Sequence, residues 1–334
     1  MATFVRTQEI AHEIGASGRF ALRVTSPDVE LRAGGGTTAS VRVKIELRAG
    51  SDEEADRIFE SLHFRVRAEQ GSLEVEEPRR ADAGIGSILE LLGVASSRID
   101  DLSVSAVLPD LVELAYEGVS ADVTASGFRG PQQYRTVSGD LVLDRVAGDV
   151  RVRGVSADVS IRADEAMRLE MNSVSGDVSA VAPRFDVLRL VTVSGDVEIE
   201  GDLAVDVQHR VETVSGDLSL GVVDGLTLEV RGLSSDTYVS VPHRSEGSRD
   251  RRRYVIGTGE SSLVFSSMSG DVSVRPGRRT SAPIPPASPE PPVPPPPPQP
   301  AAPDEQLEIL RALEAGEIDV DEAAARLSGR GSHD

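Results

Sequence analysis

From Tyr134 to Val274 apolar and polar residues alternate with a period of two, as in GDVRVRGVSADVSI from Gly148 and GDVEIEGDLAVDV from Gly195, and most apolar positions are valine. That pattern predicts short strands, and no stretch of the region sustains helical spacing. One phrase keeps punctuating the alternation. It reads Val137-Ser138-Gly139-Asp140, Val174-Ser175-Gly176-Asp177, Val193-Ser194-Gly195-Asp196, Val214-Ser215-Gly216-Asp217 and Met268-Ser269-Gly270-Asp271. Weaker copies stand at 119–123, 146–150, 155–159 and 233–236. Asp158, Asp177, Asp196, Asp217 and Asp236 are 19, 19, 21 and 19 residues apart, while Asp140, Asp149 and Asp158 are 9 apart. A strand repeat of about 20 residues with a half-period of about 9 is the mark of a solenoid.

Within the phrase, Gly supplies a positive φ or a close backbone approach, and Ser and Asp can satisfy turn amides. Each copy therefore predicts a corner, with two or three short strands per coil. Like residues stack: valines in an inner column, aspartates in an outer one. On this reading Val193→Asp unfolds several coils, Gly195→Val is harmful and Arg210→Ala does little. The expected fold class is mainly β, a single-chain parallel β-solenoid with short helical insertions, a Pro-rich linker and a C-terminal two-helix hairpin.

Before the repeats, residues 18–48 read as strands, and Thr25-Ser26-Pro27-Asp28-Val29 is a degenerate copy of the phrase. Ser51-Asp52-Glu53-Glu54 is a capping box with Ala55, Ile58, Phe59 and Leu62 at helical spacing behind it, predicting a short amphipathic helix over 51–63. Residues 64–77 alternate again. Residues 84–97, GIGSILELLGVASS, read as a helix covering the open end of the solenoid, the alternative being a partner-binding or membrane-touching loop.

After Val274 the composition changes. Residues 281–303 hold 13 of the 20 prolines, cannot join a strand ladder and predict a polyproline II spacer that reaches on the order of 70 Å. Beyond it, Leu307, Ile309, Leu310 and Leu313 lie at helical spacing, Ala315-Gly316 ends that helix, and Asp319 caps a second with Glu322 as box partner and Ile318 as staple. Two such helices bury too little surface to stand alone, so Leu307, Leu310, Leu313, Ile318 and Leu327 are the expected contact residues with a second copy or another protein. The domains are 1–278, 279–303 and 304–330.

Among 334 residues, 35 are Lys or Arg and 55 are Asp or Glu, a net charge of −20, which opposes non-specific nucleic-acid binding. No cysteine is present, which removes disulfides, thiolate metal sites and cysteine nucleophiles and fits a reducing compartment. Trp is absent, with 4 Tyr and 7 Phe, so aromatic platforms for sugars or single strands are hard to build. No apolar h-region opens the chain and no run of 18 apolar residues occurs, so neither signal peptide nor membrane span is expected. The expected location is the cytoplasm, with peripheral contact at the inner membrane face left open.

Catalytic chemistry finds little purchase. His12, His63, His209, His243 and His333 are scattered, and no Gly-x-Ser-x-Gly elbow, phosphate loop or zinc motif occurs. No catalytic, cofactor or firm metal site is expected. Stacked Asp158, Asp177, Asp196 and Asp217, about 4.8 Å apart, would repel unless hydrogen-bonded or bridged by cations. The glycine-rich nonapeptide of calcium β-rolls is missing, so hydrogen bonding at each aspartate's own corner is the expectation and calcium the alternative. The structural repeat residues are Gly139, Asp140, Gly176, Asp177, Gly195, Asp196, Gly216, Asp217, Gly270 and Asp271.

An apolar strand ending in Leu108-Pro109, then a Val-Ser-x-Asp-Val phrase, then repeated Val-Ser-Gly-Asp resembles the bacterial putative-adhesin family, a β-solenoid domain, over residues 18–275. The string LEILRALEAGEIDVDEAAARLSG is similar to SHOCT-like helical hairpins through Leu310, Leu313, Gly316, Ile318, Glu322, Ala323 and Leu327. Together these resemblances imply a non-enzymatic binding or assembly protein that oligomerises or docks through its hairpin, in envelope-stress signalling or adhesion. A bactofilin-like cytoskeletal scaffold is the alternative, and a carbohydrate-active β-helix enzyme a lower one.

Overall fold

The computed structural model describes residues 2–78, 99–222, 225–234, 236–248, 251–277 and 312. All but Ala312 belong to the first of two compact units, 1–282; the proline-rich segment and the hairpin residues named above lie outside the described residues, as does the apolar segment 84–97.

Among its described residues the first unit is mainly β, one large and mostly parallel sheet with one helix. The chain opens with β1 (Ala2–Glu13), β2 (Arg19–Arg23), β3 (Asp28–Gly34) and β4 (Thr38–Ala49). Helix α1 (Asp52–Ser61) follows, then β5 (Arg65–Glu69), β6 (Ser72–Glu76) and β7 (Ile99–Pro109). The central strands are β8 (Glu113–Glu117), β9 (Val123–Ser126), β10 (Gln132–Arg135), β11 (Leu141–Arg153), β12 (Val159–Asn172), β13 (Val178–Val191), β14 (Val197–Leu203), β15 (Gln208–Glu212) and β16 (Leu218–Val222). Last come β17 (Leu226–Ser234), β18 (Thr237–Val239), β19 (His243–Ser248), β20 (Arg251–Ile256), β21 (Ser261–Ser269) and β22 (Val272–Pro276).

Parallel pairing stacks the strands into rungs. Val123, Leu141, Val159, Val178, Val197 and Leu218 succeed one another in register, so a rung takes 18 to 21 residues, the repeat seen in the sequence. Each rung has two walls: the start of β11 pairs with the start of β12, and its end with the end of β12, across a register shift at Arg145–Gly148. The half-period of 9 is thus the passage from one wall to the other, and the copy at 146–150 is the opposite corner of the rung. Between the walls the alternation packs one contiguous core, in which Phe20, Tyr116, Phe128, Tyr134, Phe185 and Phe265 are the bulkiest members.

Chain order and stacking order agree only in the middle. At the start, β2 lies between β6 and β8, and β3 between β7 and β9. At the finish, β21 lies between β15 and β17, and β22 between β16 and β18. The first and last rungs of the chain are therefore each the second rung of the stack. Asp236, evenly spaced after Asp217 in the sequence, sits beyond Asp271.

Beyond these rungs the sheet continues with antiparallel strands: β4 on β7 and β1 on β4, β5 on β6, and β20 on β17 with β19 on β20. Helix α1 packs on β4 and β1 with Ala55 buried and Ile58, Phe59 and Leu62 against the core. Its box closes as the sequence predicts at Ser51, whose Oγ accepts the Glu54 N–H at 3.2 Å, while the Glu54 carboxylate reaches one residue further back, to the Gly50 N–H at 2.7 Å. No helix among the described residues is long and apolar enough to cross a membrane.

Candidate functional site

The repeated phrases line one corner of the stack, and each of their four residue types does a different thing there. Glycine is required by space: Gly195 has φ +119°, and a Cβ built on it would lie 2.2 Å from the Gly176 carbonyl oxygen of the rung below. Serine knits neighbouring rungs. Ser138, Ser156 and Ser175 form successive parallel bridges, and Ser194, Ser215 and Ser269 form another run. Each of their N–H groups donates to the valine carbonyl of the preceding rung, as Ser175 does to Val155 at 2.7 Å. Just before the phrase, Thr136, Ser173 and Thr192 turn inward, and each hydroxyl donates to the phrase's own serine carbonyl at 2.9–3.1 Å.

The aspartates form a ladder in which six backbone N–H groups donate to the carboxylate one rung away, the step from Asp140 to Asp158 not being bridged in this way. Asp140 donates to Asp122 Oδ1 at 2.9 Å, Asp177 to Asp158 at 2.8 Å, Asp196 to Asp177 at 2.8 Å and Asp217 to Asp196 at 3.0 Å. Asp271 then donates to Asp217 at 2.8 Å and Asp236 to Asp271 at 2.9 Å. The acceptor is thus shared between rungs and does not serve its own corner, as the sequence reading had it. All eight side chains are exposed, and none takes part in an ion pair among the described residues. Asp140, Asp158, Asp177, Asp196, Ser160 and Ser179 border a shallow groove of about 410 Å³.

Valine departs from expectation. The inner column exists, but it is built from the apolar residue after the phrase: Val159, Val178, Val197 and Leu218 are at most 2% exposed. The phrase's own leading residue faces solvent. Val119, Val137, Val155, Val174, Val193, Val214 and Met268 are between 42% and 58% exposed. Val193 points outward, so the predicted unfolding by Val193→Asp loses its premise. Alternation puts Val193 and Val197 on one face, but the corner between them resets the parity, and it does so equally where Ala121 or Ala157 stands in place of the glycine: Val119 and Val155 are exposed while Val123 and Val159 are buried.

Groups able to do acid–base or metal chemistry do not converge. No cluster of three or more His, Asp or Glu able to hold a metal occurs among the described residues. His209 is fully buried, its Nδ1 accepting the Leu188 N–H at 3.1 Å and its Nε2 donating to the Ala204 carbonyl at 3.0 Å, so its ring serves the backbone of a rung two residues longer than the one before it. Burial pushes its pKa down, against smaller upward pulls from the Ala204 carbonyl and Asp186. Tyr134 and Tyr116 are buried side by side, ring centroids 6.4 Å apart, and burial pushes both phenols up. Tyr134 donates to Gln132 Oε1 at 3.1 Å, and Gln132 caps the carbonyls of Phe128, Gly130 and Ala147. Neither group was singled out in the sequence, where a lone histidine and two ordinary core tyrosines carry no signal.

Comparison with known proteins gives a family match over most of the chain. A family described as Toastrack DUF4097 matches residues 19–275. No curated protein matches. Among solved structures, a putative adhesin from Bacteroides fragilis is 12% identical and covers 81% of this chain and 97% of its own, at a TM-score of 0.38. A putative lipid binding protein from Parabacteroides distasonis is 13% identical, covering 81% and 96% at 0.31. A putative cell adhesion protein from Clostridium sporogenes is 9% identical, covering 80% and 99% at 0.25. Such identities and scores are too low to carry a function across.

Proposed function

The chain belongs to the Toastrack DUF4097 family, and from that premise we propose that it is a non-enzymatic binding and assembly protein: a rigid parallel β-solenoid carried on a proline-rich tether, with residues 304–330 as an oligomerising or docking hairpin. One observation carries the reading. The residues repeated most strictly are spent on the backbone of neighbouring rungs, Gly195 by close approach and Asp177 and Asp196 by the amide ladder, and what they build is a regular exposed surface without an acid–base pair. Repetition that serves stacking displays a surface; a catalytic site would break the repeat at one rung.

A role in envelope-stress signalling or adhesion follows from the resemblance of the repeats and hairpin, and a location in the cytoplasm or at the inner membrane face belongs to the same reading. Against a bactofilin-like filament stand the antiparallel strands β1, β5 and β19 at the ends of the stack, where end-to-end growth would need open parallel rungs. Light scattering on the full chain and on residues 1–278 tests the proposal. We expect a discrete oligomer that becomes monomeric on truncation. Filaments that survive truncation would replace it with the cytoskeletal reading.

A further inference from the structure

We propose that the exposed corner is a docking rail for a basic amphipathic helix of another protein. This rests on the binding reading above and names the chemistry of the partner. Six rung steps of about 4.8 Å make the column from Val119 to Met268 a ridge about 29 Å long. Folding does not demand apolar side chains there: the core is filled by the next apolar residue of each rung, and Thr25 takes the equivalent place in the rung of β2 and β3, exposed to solvent. A contiguous apolar strip of this kind on a soluble surface marks an interaction site.

Beside the ridge runs the aspartate ladder, and the contrast with the rest of the surface is sharp. On the ridge's other flank, in the wall that leads into the corner, arginines and glutamates bridge the rungs and offset one another, as Arg23 does to Glu74 and Glu117, and Arg151 and Arg189 to Glu170. In the ladder, carboxylates stack without an ion-pair partner among the described residues. The complement of a methyl ridge with a row of carboxylates along one side is an apolar stripe with Lys or Arg along one side. An anionic membrane would meet the carboxylates with like charge, and two copies of a chain of net charge −20 would repel each other ridge to ridge. The partner's backbone is constrained too. Ser156 N–H already donates to the Val137 carbonyl and Ser194 N–H to Val174, so the corner offers no free ladder for an added strand. A helix needs none, and about 20 residues of helix match the ridge in length.

The test uses the full-length protein and three probes: a labelled 20-residue helical Leu/Lys peptide (about 30 Å long), its Leu/Glu counterpart, and phosphatidylglycerol vesicles. The key variant is Val155→Thr/Val174→Thr/Val193→Thr, which keeps β-branching and removes apolarity; Val107→Thr, exposed but off the ridge, is the control. Both are checked for unchanged melting. We expect the Leu/Lys peptide to bind, the Leu/Glu peptide and vesicles not to, and the triple variant to weaken binding at least about tenfold while the control leaves it within about twofold. Equal binding by the triple variant would reduce the effect to bulk charge attraction and overturn the proposal, as would no binding at all. Vesicle binding lost in the triple variant would make the occupant a lipid, and a change in oligomer mass would make it a second copy; either overturns the helix. Assembly is read separately by the 1–278 truncation, so the rail and the assembly reading fail independently.

Discussion

The middle of the stack and its two ends are built from the same rungs by different rules. From β8 to β16 each rung lies on the one before it in the chain, 18 to 21 residues away. At the ends, β2 pairs with β6 and with β8, and the ladder runs from Asp217 to Asp271 and back to Asp236. A sequential rung is stabilised by neighbours that arrive with it, so a purely sequential stack frays from its ends. An intercalated end rung is held on both sides, and its removal opens two interfaces at once. The first and last rungs of the chain are thereby held inside the stack, at the cost of contacts that close late and over long loops.

The strongest test of that difference is a cut at residue 260. Removing 261–334 takes away β21 and β22 and leaves the faces of β15 and β16, and of β17 and β18, without partners. We expect amides of 226–239 to lose nearly all hydrogen-exchange protection in this truncation, those of 141–200 to keep most of it, and the 1–278 truncation to match the full chain. Retained protection at 226–239 would mean that β17 docks directly on β15 and that intercalation is dispensable.

Within the middle, two substitutions four residues apart separate the columns. Val197→Asp places a charge in the core and should cost about 3–5 kcal/mol. Val193→Asp changes an exposed side chain and should stay within about 1 kcal/mol. Gly195→Val, with the Gly176 carbonyl 2.2 Å from its Cβ and φ at +119°, should resemble the core change. Urea melts of the three decide it; equal losses at 193 and 197 would restore the inward parity that the alternation suggests.

How far all this was legible follows from what each residue encodes. Strand alternation, the rung length and even the degenerate corner at Thr25–Asp28 are local patterns, and Val29 does stack on Val123. The capping box at Ser51 is local too. Parity at Val193 was lost because the chain turns a corner within the phrase, with Ala121 and Ala157 as with Gly195, and a period of two holds only along a straight strand. The intercalation left no local trace that spacing would reveal: Asp236 follows Asp217 at the regular 19 residues although its phrase is the weaker copy, while Asp271, which does lie next to Asp217, stands 54 residues away. Cross-rung carboxylate bonding and the buried His209 likewise depend on who the neighbour is.

A smaller effect is expected where the two regimes meet. His209 lies on β15, which pairs with the middle strand β13 on one side and the intercalated β21 on the other. Its folded pKa is lowered by burial, so the folded state binds the proton less readily than the unfolded state. Its contribution is therefore complete above the unfolded value of about 6.5 and is lost as pH falls through the lowered folded one. Thermal melts between pH 7.5 and 5 should show wild type losing more stability than His209→Gln, whose amide can still accept from Leu188 and donate to Ala204. Parallel curves would show that His209 does not couple folding to pH.

The smallest effect sharpens the comparison at the level of single charges. In the middle, Arg210 pairs with Glu212 two residues away on its own strand, at 2.9 Å, and joins nothing distant among the described residues. At the end, Arg6 of β1 reaches Asp56 of α1 at 2.7 Å and also Asp52, so one guanidinium ties an edge strand to a helix about 50 residues on. Both pairs are near the surface, where such contacts contribute little. Arg210→Ala should change melting by no more than a few tenths of a kcal/mol and alter exchange nowhere. Arg6→Ala should shift global melting equally little yet raise amide exchange in α1, because among the described residues α1 packs chiefly on β1 and β4 and is tied to β1 by those charges. If α1 exchanges at the wild-type rate in Arg6→Ala, its packed residues Ala55, Ile58 and Phe59 suffice, and the end of the stack is closed by apolar contact alone.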